Sequence, residues 1–151
     1  MPELHLETDI ASSAESVFDT IADLRTYSRW LTQEGSYGGT TDITPGPIAL
    51  GSTYVEHESR GVRRGTVTEF DRPTRLTFHQ PMTLRPRLAG VIDITVRYAI
   101  TPRDGVVHVD RDVTLVMPWS LKLVQPIVVR QFRSESQRAM NALKAFLEGA
   151  E

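Results

Sequence analysis

From about Pro126 to Leu147 the chain carries one long stretch with apolar residues at helical spacing, while almost everything between Thr40 and Met117 alternates with the period of a β-strand. Leu121, Val124, Val128, Phe132, Ser136, Ala139, Met140, Leu143 and Leu147 trace one stripe, and such a stripe must bury itself against an apolar partner. The only partner available is the sheet that precedes it. A sheet closed by one long helix makes a shell around a space.

Leu4, Leu6 and Thr8 alternate with Glu3, His5 and Glu7, which predicts a half-buried first strand. Ser12 followed by Glu15 has the form of a capping box, and Ala14, Val17, Phe18 and Ile21 then share one helical face. Arg25 to Leu31 predicts a second short helix with Tyr27, Trp30 and Leu31 buried. Gly35, Gly38 and Gly39 point to a bulged or edge strand through Thr40 to Thr44, and Pro45-Gly46-Pro47 to a turn.

Further strands are predicted over Ser52–Glu58, Arg63–Phe70, Arg75–Gln80, Val91–Thr101 and Val106–Met117. Asp104-Gly105 is the clearest hairpin signal, because that pair tolerates the positive φ of a tight turn. Pro81 to Gly90 exceeds what a hairpin needs, so it reads either as a lid over an opening or as a surface excursion. Pro118 and Pro126 predict a short helix ending near Gln125, or a kink, before the long helix.

The 151 residues are most simply one domain spanning 1–151. A net charge of −2 offers no electrostatic reason for a nucleic-acid partner, and the Arg60, Arg63, Arg64 cluster is flanked by Glu56, Glu58 and Glu69. The absence of cysteine excludes disulfides, thiolate nucleophiles and cysteine-based zinc sites. The first ten residues hold three acids and no apolar run, and no stretch approaches the ~20 apolar residues of a membrane span. The expectation is a cytoplasmic protein without stable membrane insertion, monomeric or homodimeric.

Ile10, Ala11, Ser13, Glu15, Val17 and Phe18, followed by Asp23, Tyr27 and Trp30, resemble the opening of the polyketide cyclase/dehydrase and lipid-transport superfamily, the START-like or SRPBCC helix-grip group. Leu50-Gly51-Ser52-Thr53-Tyr54 and Val67-Thr68-Glu69-Phe70-Asp71-Arg72-Pro73-Thr74-Arg75-Leu76 are similar to two further stretches of that family. The usual proline stands here as Ser13, a substitution suited to a helix start. The resemblance implies an α+β helix-grip fold, with a seven-stranded antiparallel sheet curled around a long C-terminal helix and two short helices after the first strand. It also implies an apolar cavity between sheet and helix, with its mouth near the loops and first helices.

On that plan the candidate ligand contacts are Tyr27 and Trp30 at the mouth. From the sheet they are Tyr54, His57, Phe78, Gln80, Ile94, Val96, Tyr98, Val109, Arg111 and Val113, and from the helix Phe132, Ser136, Ala139 and Met140. Arg111 stands in the apolar row of Val109, Val113 and Leu115, where a charge must be paired or bind an anionic group. Ser136 and Ala139 are small where a merely filled core favours Leu. The parity of His57 is open: Val55 argues that it points inward, whereas Tyr54, Glu56 and Glu58 form the rival row. Glu56 and Glu58 read as a solvated edge, and His79 as outward. No catalytic residue, metal or cofactor is expected, because no histidine pair has ligand spacing and no nucleophile motif occurs.

Two readings of function remain. One is binding of a small, largely apolar molecule (lipid, polyketide or similar), and the other is cyclase/dehydrase-type catalysis in the same cavity. An interaction module with a filled interior is a third.

Overall fold

The computed structural model describes residues 2–31 and 37–149. Strand β1 (Glu3–Ile10) leads into helix α1 (Ala14–Ala22) and a 3-10 turn, Leu24–Arg29. Strands β2 (Tyr37–Thr41), β3 (Thr53–Glu58), β4 (Gly61–Asp71), β5 (Arg75–His79), β6 (Met82–Leu84), β7 (Val91–Arg103) and β8 (Val106–Val116) follow. Two more 3-10 turns, Arg87–Ala89 and Trp119–Val124, precede β7 and the long helix α2 (Gln125–Gly149). The strands pair antiparallel in the order β1-β8-β7-β5-β4-β3-β2, with β6 joined to β4 and β7.

This is the expected helix-grip arrangement with eight strands instead of seven. The eighth comes from the segment read as a loop. Met82 and Leu84 are buried, and backbone pairing of Met82–Leu84 to β4 and β7 satisfies groups that a free loop would leave to water. Only Arg87–Ala89 remains an excursion.

The β7–β8 hairpin shows why the rest of the sheet was legible. Ile92, Ile94, Val96, Tyr98 and Ile100 are buried, opposite Val107, Val109, Val113 and Leu115, and the turn places Gly105 at φ +75°. The helix start differs by one residue from the expectation. Ser13, not Ser12, caps α1, its hydroxyl accepting from the Ser16 amide at 3.1 Å. The edge strand β2 is bulged as predicted, between Tyr37 and Gly39, but it begins earlier and ends at Thr41. Gly35 lies outside the described residues.

The two halves of α2 behave differently. Met140 and Leu143 are fully buried toward the C-terminal end, where Glu148 accepts from the Ala11 amide at 3.0 Å and Lys144 donates to the Asp9 carbonyl. There, beside Ile10 and Val107, lies part of the apolar core that also holds Phe18 and Ile21; burial of each such side chain stabilises by about 1.5–3 kcal/mol. Toward the N-terminal end Val128, Val129 and Phe132 are only half-buried and Ile127 is exposed. This end leaves space between helix and sheet.

Candidate ligand-binding site

The period of two along β3 turns Tyr54, Glu56 and Glu58 together toward that space, and β4 presents Arg63 on the same side. His57 therefore points away, with Nε2 2.9 Å from the Thr41 hydroxyl, and does not line the site. The reading of Glu56 and Glu58 as a solvated edge is also overturned, since each residue is only 7% exposed. Their charge is met from the neighbouring strand. Glu56 is the cross-strand partner of Arg63, whose Nη1 lies 3.6 Å from a Glu56 oxygen and whose Nε lies 3.2 Å from Glu58 Oε1.

One guanidinium between two buried carboxyl groups leaves one negative charge in excess. Desolvation pushes Glu56 up from 4.5 to about 8, with Glu58 adding to the rise and Arg63 and Arg111 opposing it. Glu56 accordingly holds its proton to higher pH than an ordinary carboxyl group.

Tyr54 reaches this position because β4 has glycine at 65: a Cβ there would come within 2.1 Å of the Tyr54 ring. The Tyr54 hydroxyl donates to Gln80 Oε1 at 2.6 Å, and the Phe78 ring stands edge-on to Tyr54 and Tyr98. On the facing wall Arg111 donates through Nη1 to the Tyr98 hydroxyl and lies 5.4 Å from the centre of its ring. Burial raises the Tyr27 and Tyr54 phenols well above their usual range, so both are neutral donors. Phe132, Ser136 and Ala139 of α2 close the top, while Tyr27 and Trp30, packed edge to face at 5.1 Å, close one side.

These groups surround a chamber of about 80 Å³, floored by Ile94, Val96 and Val113. A second cleft of about 390 Å³ lies beyond, between the β3–β4 hairpin and α2, with Arg60, Met82, Gln131 and Arg138 on its walls. Glu58, Arg63, Phe132 and Glu135 border both spaces. The Arg63 guanidinium stacked 5.6 Å from the Phe132 ring centre is thus a partition. The chamber has room for a few waters or a small polar group, whereas the cleft falls in the size range of small-molecule sites.

Three buried nitrogens lack an aligned hydrogen-bond acceptor among the described residues: Trp30 Nε1, Arg63 Nε and Arg111 Nε. Arg63 still has Glu58 within ion-pair distance. All three residues line the chamber. Buried donors without acceptors are costly, so their convergence marks where an oxygen-rich group is wanted.

Of the residues predicted to contact a ligand, His57, Val109 and Met140 do not border the chamber; Val109 and Met140 are packed in the apolar core. The remaining predicted residues are brought together around it. Leu31, Tyr37, Arg63 and Glu135 also line it and were not anticipated, while Glu56 and Glu58 line it as the row that rivalled His57. A signal for Arg63 was present, because it shares strand parity with buried Val67 and pairs with Glu56. Outside the chamber, His5, His108, Glu7, Asp9, Asp110 and Asp112 form a ladder of hydrogen bonds and ion pairs on the outer face of β1 and β8. His79 pairs with Asp93 on the outer face, as its parity predicts.

The sequence profile of the polyketide cyclase/dehydrase and lipid-transport family matches residues 1–148. The chain belongs to that family. Solved structures agree on the fold. A protein of Mesorhizobium loti superposes with a TM-score of 0.77 at 14% identity, covering 99% of both chains. A point mutant of Thalictrum flavum norcoclaurine synthase, in complex with a transition-state analogue, gives 0.69 at 13% identity over 99% of this chain and 95% of that one. The Aha1 dimer of Colwellia psychrerythraea gives 0.68 at 14% identity, over 98% and 97% respectively. No curated protein matches the chain. Among the described residues no helix is long and apolar enough to cross a membrane.

Proposed function

We propose that this family member binds a small molecule with an oxygen-bearing polar head in the chamber and a largely apolar body in the adjoining cleft. The observation that carries this reading is that Trp30 and Arg111, each with a buried donor nitrogen that has no acceptor among the described residues, both line one enclosed space. Arg63 and Arg111 supply guanidinium N–H groups to the chamber wall and burial favours the neutral form of Glu56, a donor set suited to a carboxylate, phenolate or enolate. Compared with an apolar cavity, such a head group gains from charge-assisted hydrogen bonds while the body gains from burial. The test is affinity measured by calorimetry for matched ligands with and without the anionic group. Arg111→Ala is expected to weaken only the former, by roughly tenfold to a hundredfold. Equal losses for both would refute the oriented head.

A cyclase/dehydrase-type activity is the second reading, and Glu56 favours it. A carboxyl group that titrates near neutrality beside a guanidinium matches the needs of general acid–base catalysis on a carbonyl compound. Glu56 donates its proton to a departing hydroxyl, or takes one from carbon next to a carbonyl, while Arg111 holds the oxyanion. Norcoclaurine synthase, a catalyst by its name, has the same fold. Turnover that follows a single group near pH 8 and disappears in Glu56→Gln, with binding retained, would establish it. Turnover unchanged in Glu56→Gln would dismiss it.

A further inference from the structure

The turns Arg87–Ala89 and Trp119–Val124 lie side by side, joined by the Ser120 hydroxyl donating to the Ala89 carbonyl at 2.5 Å. Together they present Leu88, Trp119 and Leu123 at 96%, 86% and 98% exposure, with Ile127 and Val124 continuing the apolar surface onto the start of α2. Side chains of this size are rarely left so bare on one contiguous surface unless something covers them.

The charge pattern identifies what covers them. Residues 80–92 and 113–134 contain Arg85, Arg87, Lys122, Arg130 and Arg133 and not one acid. All five cations are exposed. Because the whole chain has 17 basic and 19 acidic residues, everything outside these two segments carries twelve cations against nineteen acids. The two segments that carry the exposed apolar side chains are thus basic in a chain that is acidic overall, with Glu3 opposite Thr114 and Asp93 opposite Val116 on the adjoining strands. Trp, Leu and Ile protruding among Lys and Arg is the composition that seats a protein at the boundary between acyl chains and anionic headgroups.

We infer that Leu88, Trp119, Leu123 and Ile127 insert into the surface of an anionic lipid bilayer, with Arg87, Lys122 and Arg130 on its headgroups. The contact is peripheral, since no helix among the described residues spans a membrane. Its position suits exchange of an apolar ligand. Strand β6 supplies Met82 to the outer cleft and runs on to the Leu88 turn, and α2 supplies Phe132 little more than one turn beyond Ile127. The inference stands on the surface alone and does not depend on what the chamber holds.

Co-sedimentation of the purified full chain with vesicles tests it, using phosphatidylcholine alone and phosphatidylcholine with a third phosphatidylglycerol. Binding is expected only to the anionic vesicles and to fall as salt is raised. Lys122→Glu and Arg130→Glu are each expected to weaken it by roughly fivefold. Leu123→Glu with Trp119→Glu is expected to abolish it. All four positions are exposed, so unchanged thermal melting verifies the fold. Quenching of Trp119 by brominated lipid, lost in Trp119→Phe, would locate the inserted residue. Absence of binding to anionic vesicles, binding that survives the Leu123/Trp119 variant, or a dimer in solution that the same variant dissociates would each overturn the proposal, the last by assigning the face to a second copy of the chain.

Discussion

The two ends of α2 face opposite solutions to the same packing problem. At its C-terminal end Met140 and Leu143 join Ile10 and Val107 in a core that also holds Phe18 and Ile21 and contains no charge, and the few polar groups there latch the helix to the end of β1. At its N-terminal end the arrangement is inverted. Glu56, Glu58 and Arg63 are inside, while Leu88, Trp119 and Leu123 are outside. The first end has the composition that stabilises a fold; the second sacrifices stability, since buried ionisable groups and exposed apolar ones both cost free energy. A fold tolerates such an end when the other holds it together, and it is this weaker end that contains the chamber, the cleft and the basic apolar face.

Substitutions can break or sharpen that contrast. The largest effect is expected from truncating a core aromatic. Phe18→Ala should lower stability by about 3–5 kcal/mol in chemical denaturation, whereas Phe132→Ala, half-buried at the other end, should cost less than about 1.5 kcal/mol. Comparable losses at both positions would erase the distinction.

Next comes Glu56. Its folded pKa is raised above the unfolded 4.5, so its favourable contribution is complete below pH 4.5 and is lost as pH rises toward about 8. Glu56→Gln should therefore stabilise the protein at pH 9, by on the order of 3 kcal/mol, and flatten the fall in stability between pH 5 and 9. A variant that keeps the slope of the parent would mean that Glu56 is ionised throughout.

Gly65→Ala should displace the Tyr54 ring and cost about 1–3 kcal/mol, with loss of the Tyr54–Gln80 hydrogen bond visible by NMR. Ala139→Leu places bulk in the chamber. It is expected to abolish ligand binding while changing stability by no more than about 1 kcal/mol, and gained stability with full binding would show that the space is not used.

The smallest effect belongs to the outer ladder. Hydrogen bonds that the His5 ring donates to Asp112 and Glu7 raise its pKa from 6.5 to about 9. That contribution is fully present below pH 6.5 and disappears as pH passes about 9; His5→Gln should remove a few tenths of a kcal/mol at most, because the pair is solvent-screened. An imidazole titration by NMR near pH 6.5 would contradict the raised value.

Much of this architecture was written locally. Alternation along Val91–Thr101 and Val106–Met117, the Asp104-Gly105 turn and the helical stripe of α2 each specify an element through neighbours in sequence, and strand period alone places Arg111 and Tyr98 on the inner face. Two features escaped that kind of reading. Met82–Leu84 is too short to show a period, and it becomes a strand only because β4 and β7 offer it partners. The row Tyr54, Glu56, Glu58 was ambiguous against Val55 and His57, because acids ordinarily mark the wet face. Their burial was decided by Arg63, which comes into register from the adjacent strand, and by α2 arriving overhead from more than seventy residues away. By itself the sequence determined the elements, their order and the apolar core, since periodicity and turn chemistry act over a few residues. Tertiary structure alone decided which charges entered the chamber and which apolar side chains were left bare, because burial belongs to the assembled surface and not to any one strand.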